Sequence, residues 1–190
     1  MKREFLGDSY DMAKRFWADL LRKTAPLYAD PVFFKDDKDK GCALQREFTR
    51  LTGIQMEVGR TSGVFSILLD PDTGISLTDK PSPRHVTTEY IAKRLRESGA
   101  KYVVAYDQSF GRGEPKEVAR QRKMTRMRKH GYPSFYYVSH ASFLFAAKSQ
   151  QGLRELRTII EKAGVPACKL EELRTARGTS HIPERCQGAA

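Results

Sequence analysis

The sequence predicts an α/β fold, a three-layer Rossmann-like arrangement with a mostly parallel, doubly wound sheet of about five strands flanked by helices. Three observations predict it. Short apolar runs recur at 32–34, 67–69, 102–106 and 135–138, with few polar interruptions, as strands covered on both faces require. Segments of helical apolar spacing lie between them at intervals of roughly 30 residues, which gives βαβ units. The apolar runs also end abruptly in polar clusters, the pattern expected along the carboxyl edge of such a sheet, where ligands bind.

The first element expected is a short strand ending at Phe5-Leu6, with Gly7 and Asp8 at its carboxyl end. Tyr10, Ala13, Phe16, Trp17, Leu20 and Leu21 then recur at i, i+3, i+4 and i+7 and predict a helix over about 9–23, capped by Ser9 and closed by Pro26. Asp8 and Asp11 read equally well as strand-end ligands and as acidic groups favoured at a helix N-terminus. Pro31-Val32-Phe33-Phe34 reads as a second strand, and the charge run Lys35 to Lys40 as a solvated loop. A helix over about 42–52 follows, stopped by Gly53, and Ile54 to Val58 alternates as an edge strand would.

Ser66 to Gly74 is the stretch around which the rest is organised. Its apolar run ends in Asp70-Pro71-Asp72-Thr73-Gly74, two carboxylates at i and i+2 in a sequence that also suits a tight turn. Pro81-Ser82-Pro83 is a rigid connector; Thr87 or Thr88 starts a helix that Gly99 ends. Tyr102 to Tyr106 is a strand ending in Asp107-Gln108-Ser109. Gly111-Arg112-Gly113 is a loop with backbone freedom, and a helix over about 115–130 carries Lys116, Arg120, Arg122, Lys123, Arg126, Arg128 and Lys129 with few apolar residues. A strand over 134–138 ends in Ser139-His140-Ala141-Ser142, Phe143 to Phe145 returns to the core, and a last helix spans about 150–163. The domain is expected to close at 165, leaving 166–190 as a polar tail.

Strand ends spread along the chain converge on one edge of a parallel sheet. Asp8, Asp70, Asp72 and Asp107 are therefore expected to share a crevice and to hold Mg²⁺ or Mn²⁺, hard cations that take oxygen ligands. Asp70, Asp72, Asp107 and His140 are the candidate catalytic residues, with His140 as acid or base, and Ser109, Arg112, Lys123 and Arg126 are candidate substrate contacts. The balance of 34 Lys+Arg against 23 Asp+Glu, a formal charge of +11, favours a polyanionic partner. The expected function is a divalent-metal-dependent phosphoesterase acting on nucleic acid, DNA or RNA. The alternatives are a small-molecule phosphatase, a methyltransferase-like protein, and a nucleic-acid-binding or partner-binding module without chemistry.

No apolar run approaches the roughly 18 residues of a membrane span. Met1-Lys2-Arg3 leads into charged residues instead of an apolar secretory segment, so a cytoplasmic protein is expected. Cys42, Cys168 and Cys186 show no metal-site spacing and read as free thiols.

Leu69-Asp70-Pro71-Asp72-Thr73-Gly74, Tyr106-Asp107-Gln108-Ser109 with Arg112-Gly113, and Ser139-His140-Ala141-Ser142-Phe143 together resemble a family of uncharacterised bacterial proteins, which also opens with a segment similar to Phe5-Leu6-Gly7-Asp8-Ser9. This resemblance covers most of residues 4–146 and implies a shared fold without assigning a reaction. Shorter segments resemble other groups. Asp70-Pro71-Asp72 is similar to the paired aspartates of Toprim nucleases and topoisomerases, although their glutamate has no counterpart near Leu6-Gly7. It is also similar to the Asp-x-Asp-x-Thr of haloacid-dehalogenase-type phosphatases, where that motif opens the domain, and to the Asp-Pro-Pro-Tyr of amino-methyltransferases, whose upstream glycine loop is missing here.

Overall fold

Seven strands form one sheet: β1 (Leu27–Ala29), β2 (Gln55–Met56), β3 (Ser66–Leu69), β6 (Tyr102–Tyr106), β7 (Ser134–Tyr137), β8 (Phe143–Ala147) and β9 (Leu170–Glu172), in the spatial order β2-β1-β3-β6-β8-β7-β9. A separate parallel pair joins β4 (Gly74–Ser76) to β5 (His85–Thr87). The structure, a computed structural model, describes residues 6–34, 41–57, 63–78, 84–111 and 113–174. β2, β1, β3 and β6 pair in parallel, whereas β8 is antiparallel to both β6 and β7, and β9 is antiparallel to β7. Five of the seven strands thus run the same way, giving the mostly parallel α/β sheet that the alternation of apolar runs and helices predicts.

Among the described residues five helices flank it: α1 (Ser9–Leu21), α2 (Gly41–Thr52), α3 (Thr88–Glu97), α4 (Lys116–Lys129) and α5 (Gln150–Lys162). Side chains alternate between faces along each strand, which sorts the helices. Trp17 of α1 lies edge-on against Tyr137, Phe143 and Phe145, with ring centroids 5.0, 6.1 and 5.0 Å away. Phe34 meets Phe48 of α2 at 4.7 Å, and Gly152 of α5 lies beside Ala147 and Tyr102. On the other face Lys123 of α4 and Tyr136 of β7 meet at Asp107, and Tyr90 and Arg94 of α3 reach Asp30. α1, α2 and α5 therefore cover one face, and α3 and α4 the other.

Several boundaries differ from the sequence reading. Leu6 and Gly7 lie in a turn, the rest of the expected first strand falls outside the described residues, and Asp8 is the N-cap of α1, Oδ1 accepting from Tyr10 N at 2.9 Å and Asp11 N at 3.2 Å. Among the described residues the first sheet strand is β1, whose three residues are too few to show a period. Pro31–Phe34 is a 3₁₀ turn that buries Phe33 and Phe34; its apolar run reflects burial of a turn. The domain extends past residue 165, because β9 joins the sheet through Tyr137↔Leu170 and neighbouring pairs. Cys168 is disulfide-bonded, which corrects its reading as a free thiol; spacing along a chain does not show which sulfurs the fold brings together. The charge run at 35–40, the connector at 81–83 and most of the tail fall outside the described residues. Among the described residues no helix is long and apolar enough to cross a membrane.

Candidate functional site at the carboxyl edge of the sheet

β1, β3 and β6 each end in an aspartate that is buried: Asp30, Asp70 and Asp107. A carboxylate in the interior requires a cation or several donors, and each of these has them from a flanking helix. Asp30 accepts from Tyr90 Oη at 2.8 Å and lies 3.1 Å from Arg94 Nε, and Arg94 also pairs with Glu57. Asp70 accepts from Lys14 Nζ at 2.8 Å, and Asp107 from Lys123 Nζ at 2.7 Å. The buried cations Lys14 and Lys123, at 4% and 1% exposure, are visible in the sequence only as lysines on the inner stripe of a helix. Lys123, a candidate substrate contact by sequence, is instead an internal counter-ion.

The register Leu69↔Ala105 sets Asp70 level with Tyr106, one residue before Asp107, so the two carboxylates point to opposite faces. The single acidic crevice expected from the sequence is therefore two clusters with the sheet between them, a correction that follows from the period of two along β3 and β6.

On the α1 face, Lys14 Nζ donates to both Asp70 Oδ2 (2.8 Å) and Asp11 Oδ1 (3.0 Å), and Asp11 Oδ2 accepts from Gly7 N at 2.7 Å. One ammonium thus serves two buried carboxylates. Burial raises the Asp70 carboxyl above its ordinary range against the opposing pull of Lys14, and the Asp11 charge pushes the same way as burial. Lys14 is held charged above its usual range because its two carboxylates outweigh the desolvation that opposes them. Burial likewise raises Tyr106, with contributions from Tyr10, Asp70 and Asp8. Tyr10 Oη is 2.9 Å from His140 Nε2, its ring stacks on the imidazole at 5.1 Å, and it meets Tyr106 at 5.5 Å. The exposed His140 is thereby held by Tyr10, whose own ring meets Tyr106.

On the α4 face, Asp107 has a different character. Oδ1 accepts from Ile75 N (2.8 Å) and Ser109 N (3.0 Å), and Oδ2 from Lys123 Nζ (2.7 Å) and Tyr136 Oη (2.8 Å). These four donors match the roughly four acceptor positions of a carboxylate. Ser109 contributes its backbone, since its carbonyl also accepts from Lys123 at 2.7 Å. Burial lowers the Lys123 ammonium below its usual range, outweighing the pull of Asp107, and the Phe110 ring lies 4.6 Å from Nζ. Asp107 clamps the end of β6 to the segment carrying Gly74 and Ile75.

The donor set does not fit a metal held by Asp8, Asp70, Asp72 and Asp107. Asp107 is saturated by protein donors, Asp11 and Asp70 already share an ammonium, and Asp72 is exposed on its turn. Among the described residues no three His, Cys, Asp or Glu side chains are grouped so as to hold a metal ion. Arg126 lies half-buried on α4, and Arg112 falls outside the described residues. Comparisons with protein-family models, with curated proteins and with solved structures returned no match.

Proposed function

We propose that the protein binds nucleic acid through the phosphate backbone, with α4 as the contact element. The observation that carries this reading is the disposition of charge on α4, which has seven Lys and Arg in fourteen residues and a single acidic residue, Glu117. Two of the seven are consumed inside the fold: Arg120 pairs with Glu171 at 2.6 Å and Lys123 with Asp107. Arg122 pairs with Glu114 at 2.8 Å on the surface. Lys116, Arg128 and Lys129 stand exposed without a carboxylate partner among the described residues, and solvated cations of this kind release counter-ions from a phosphate backbone when they meet it.

Fluorescence anisotropy with labelled single-stranded DNA, duplex DNA and RNA tests the proposal. Affinity is expected to fall steeply between 50 and 200 mM salt, on the order of tenfold or more for a few phosphate contacts. Lys116→Glu with Lys129→Glu is expected to weaken binding to all three and to flatten the log–log salt slope by about 2, roughly one for each phosphate that a lysine no longer neutralises. Affinity that ignores both salt and the double substitution sinks the reading.

Cleavage of a bound phosphodiester is the second reading, favoured by the exposed imidazole of His140, which Tyr10 holds through a hydrogen bond and a ring stack. In such a reaction His140 would move a proton at the reacting oxygen, positioned by Tyr10. A gel assay on labelled oligonucleotides decides it: cleavage lost in His140→Ala supports the reading, and cleavage absent from the wild type, or unchanged in that variant, removes it.

A further inference from the structure

A cleft of about 560 Å³ opens at the opposite edge of the sheet, where β7 begins and β8 ends. Its size falls within the range of small-molecule sites. Its polar wall is cationic. Arg128, from the last turn of α4, and Lys148, just before α5, both line it, and neither has a carboxylate partner among the described residues. Glu172, the one acidic residue lining it, is paired to Arg157 at 2.7 Å.

Two further features point to an anionic occupant. α5 starts at the cleft: Ser149 Oγ caps it by accepting from Gly152 N at 3.1 Å, and both Ser149 and Gln150 line the wall. The first amides of a helix have no intrahelical acceptor, and the helix dipole favours negative charge there. Independently, Ser134 lines the same wall at 8% exposure, and its Oγ has no hydrogen-bond partner among the described residues. A buried hydroxyl left unpaired is destabilising, and a ligand oxygen that reaches it would relieve that cost. The rest of the lining, including Tyr132, Pro133 and Leu153, is apolar or aromatic and suits a flat ring.

We propose that this cleft binds a nucleotide by its terminal phosphate, with Arg128, Lys148 and the α5 N-terminus holding the phosphate, Ser134 donating to one of its oxygens, and Tyr132 lying against the base. The phosphate belongs either to a free mononucleotide or to the end of a nucleic-acid strand. The site shares Arg128 with α4 but does not depend on backbone binding there, and it lies at the far edge from His140.

Calorimetric titration of the full chain with adenosine 5′-monophosphate, adenosine and inorganic phosphate tests the site. The monophosphate is expected to bind at least tenfold more tightly than adenosine and to be displaced by phosphate. Lys148→Ala and Arg128→Ala are each expected to weaken it about tenfold, and Ser134→Ala about threefold to tenfold, the range of one hydrogen bond. Ser134→Ala removes an unpaired buried hydroxyl and is expected to leave the melting temperature unchanged or raised, which separates ligand binding from a structural role. Equal binding of adenosine and its monophosphate, absence of binding, or indifference to both Lys148→Ala and Arg128→Ala overturns the proposal. Anisotropy with 5′-phosphorylated and 5′-hydroxyl oligonucleotides identifies the source: a phosphate-dependent gain that Lys148→Ala abolishes supports the site with a strand end as ligand. Lys116→Glu with Lys129→Glu leaves the cleft intact, so failure of backbone binding and failure of this site are read separately.

Discussion

Lys14→Met is expected to destabilise the folded chain by about 3–5 kcal/mol at neutral pH, because it removes the ammonium that serves two buried carboxylates while keeping most of the side-chain volume. Asp11 and Asp70, at 0% and 3% exposure, would face each other with Lys14 Nζ gone from its positions 3.0 and 2.8 Å away. That ammonium also lies 5.7 Å from the Phe48 ring centroid and 5.5 Å from that of Tyr106, interactions that a thioether replaces in part.

The pH dependence has a definite sign. Asp70 is raised above its unfolded value of 3.8, so the folded state holds that proton more tightly, and stability from this group falls as pH rises through the window above 3.8. Lys14 normally limits that window by favouring the carboxylate, and without it the window widens upward. Lys14 itself is raised above 10.5, so its contribution is complete below that pH and is lost as pH climbs through the folded value. The difference between wild type and Lys14→Met is thus expected to be small near pH 4, to grow towards neutrality, and to shrink again above pH 10.5. Urea denaturation across that range measures it. A difference independent of pH would mean that the loss is one of packing, and that the two carboxylates do not depend on this ammonium.

The parts of the fold legible in the sequence are those in which burial imposes a period. α1, α3 and α5 carry apolar stripes that a 3.6-residue repeat reveals, and Thr87 caps α3 by accepting from Tyr90 N at 3.1 Å, one of the two positions the sequence allows. β3 and β6, buried along their whole length, read as unbroken apolar runs. β1, β4, β5 and β9 are not legible, because three residues define no period. The antiparallel pairing of β8 is hidden for a different reason. Its five residues are buried on both faces like those of a parallel strand, and the short connection Val138 to Ser142 is what reverses the chain. In the candidate site the strand-end aspartates are legible as interruptions of apolar runs, but their partners are not. Lys14 and Lys123 sit among other basic residues on helices; their place on the inner stripe is the one sequence sign that they turn inward, and the packing shows which carboxylate each one meets. Asp30 escapes sequence reading because the strand before it is too short to recognise.

Gly74→Ala is expected to cost about 2–4 kcal/mol, the larger of two separable effects being collision with Asp107. Gly74 has φ of +121°, a region L side chains rarely adopt, and a Cβ there would lie 2.4 Å from Asp107 Oδ1, 2.7 Å from Gln108 N and 2.9 Å from Asp107 Cα. Two of those atoms are backbone, and Asp107 cannot swing aside without giving up Ile75 N, Ser109 N, Lys123 Nζ and Tyr136 Oη together. The glycine after Asp70-Pro71-Asp72-Thr73 is thus required by an aspartate 33 residues later in the chain, which joins two segments that read separately in sequence. Gly99 supplies the comparison: its φ is +81° and a Cβ there meets nothing within 4 Å, so Gly99→Ala is expected to cost only about 1 kcal/mol from backbone conformation. Denaturation midpoints of the two variants decide between steric and conformational origins. Hydrogen exchange should also show Gly74→Ala loosening the Ile75 amide, which donates to Asp107, and leaving the β7 and β8 amides protected. Equal costs for the two substitutions would mean that the clamp between Asp107 and the turn after β3 contributes nothing to the fold.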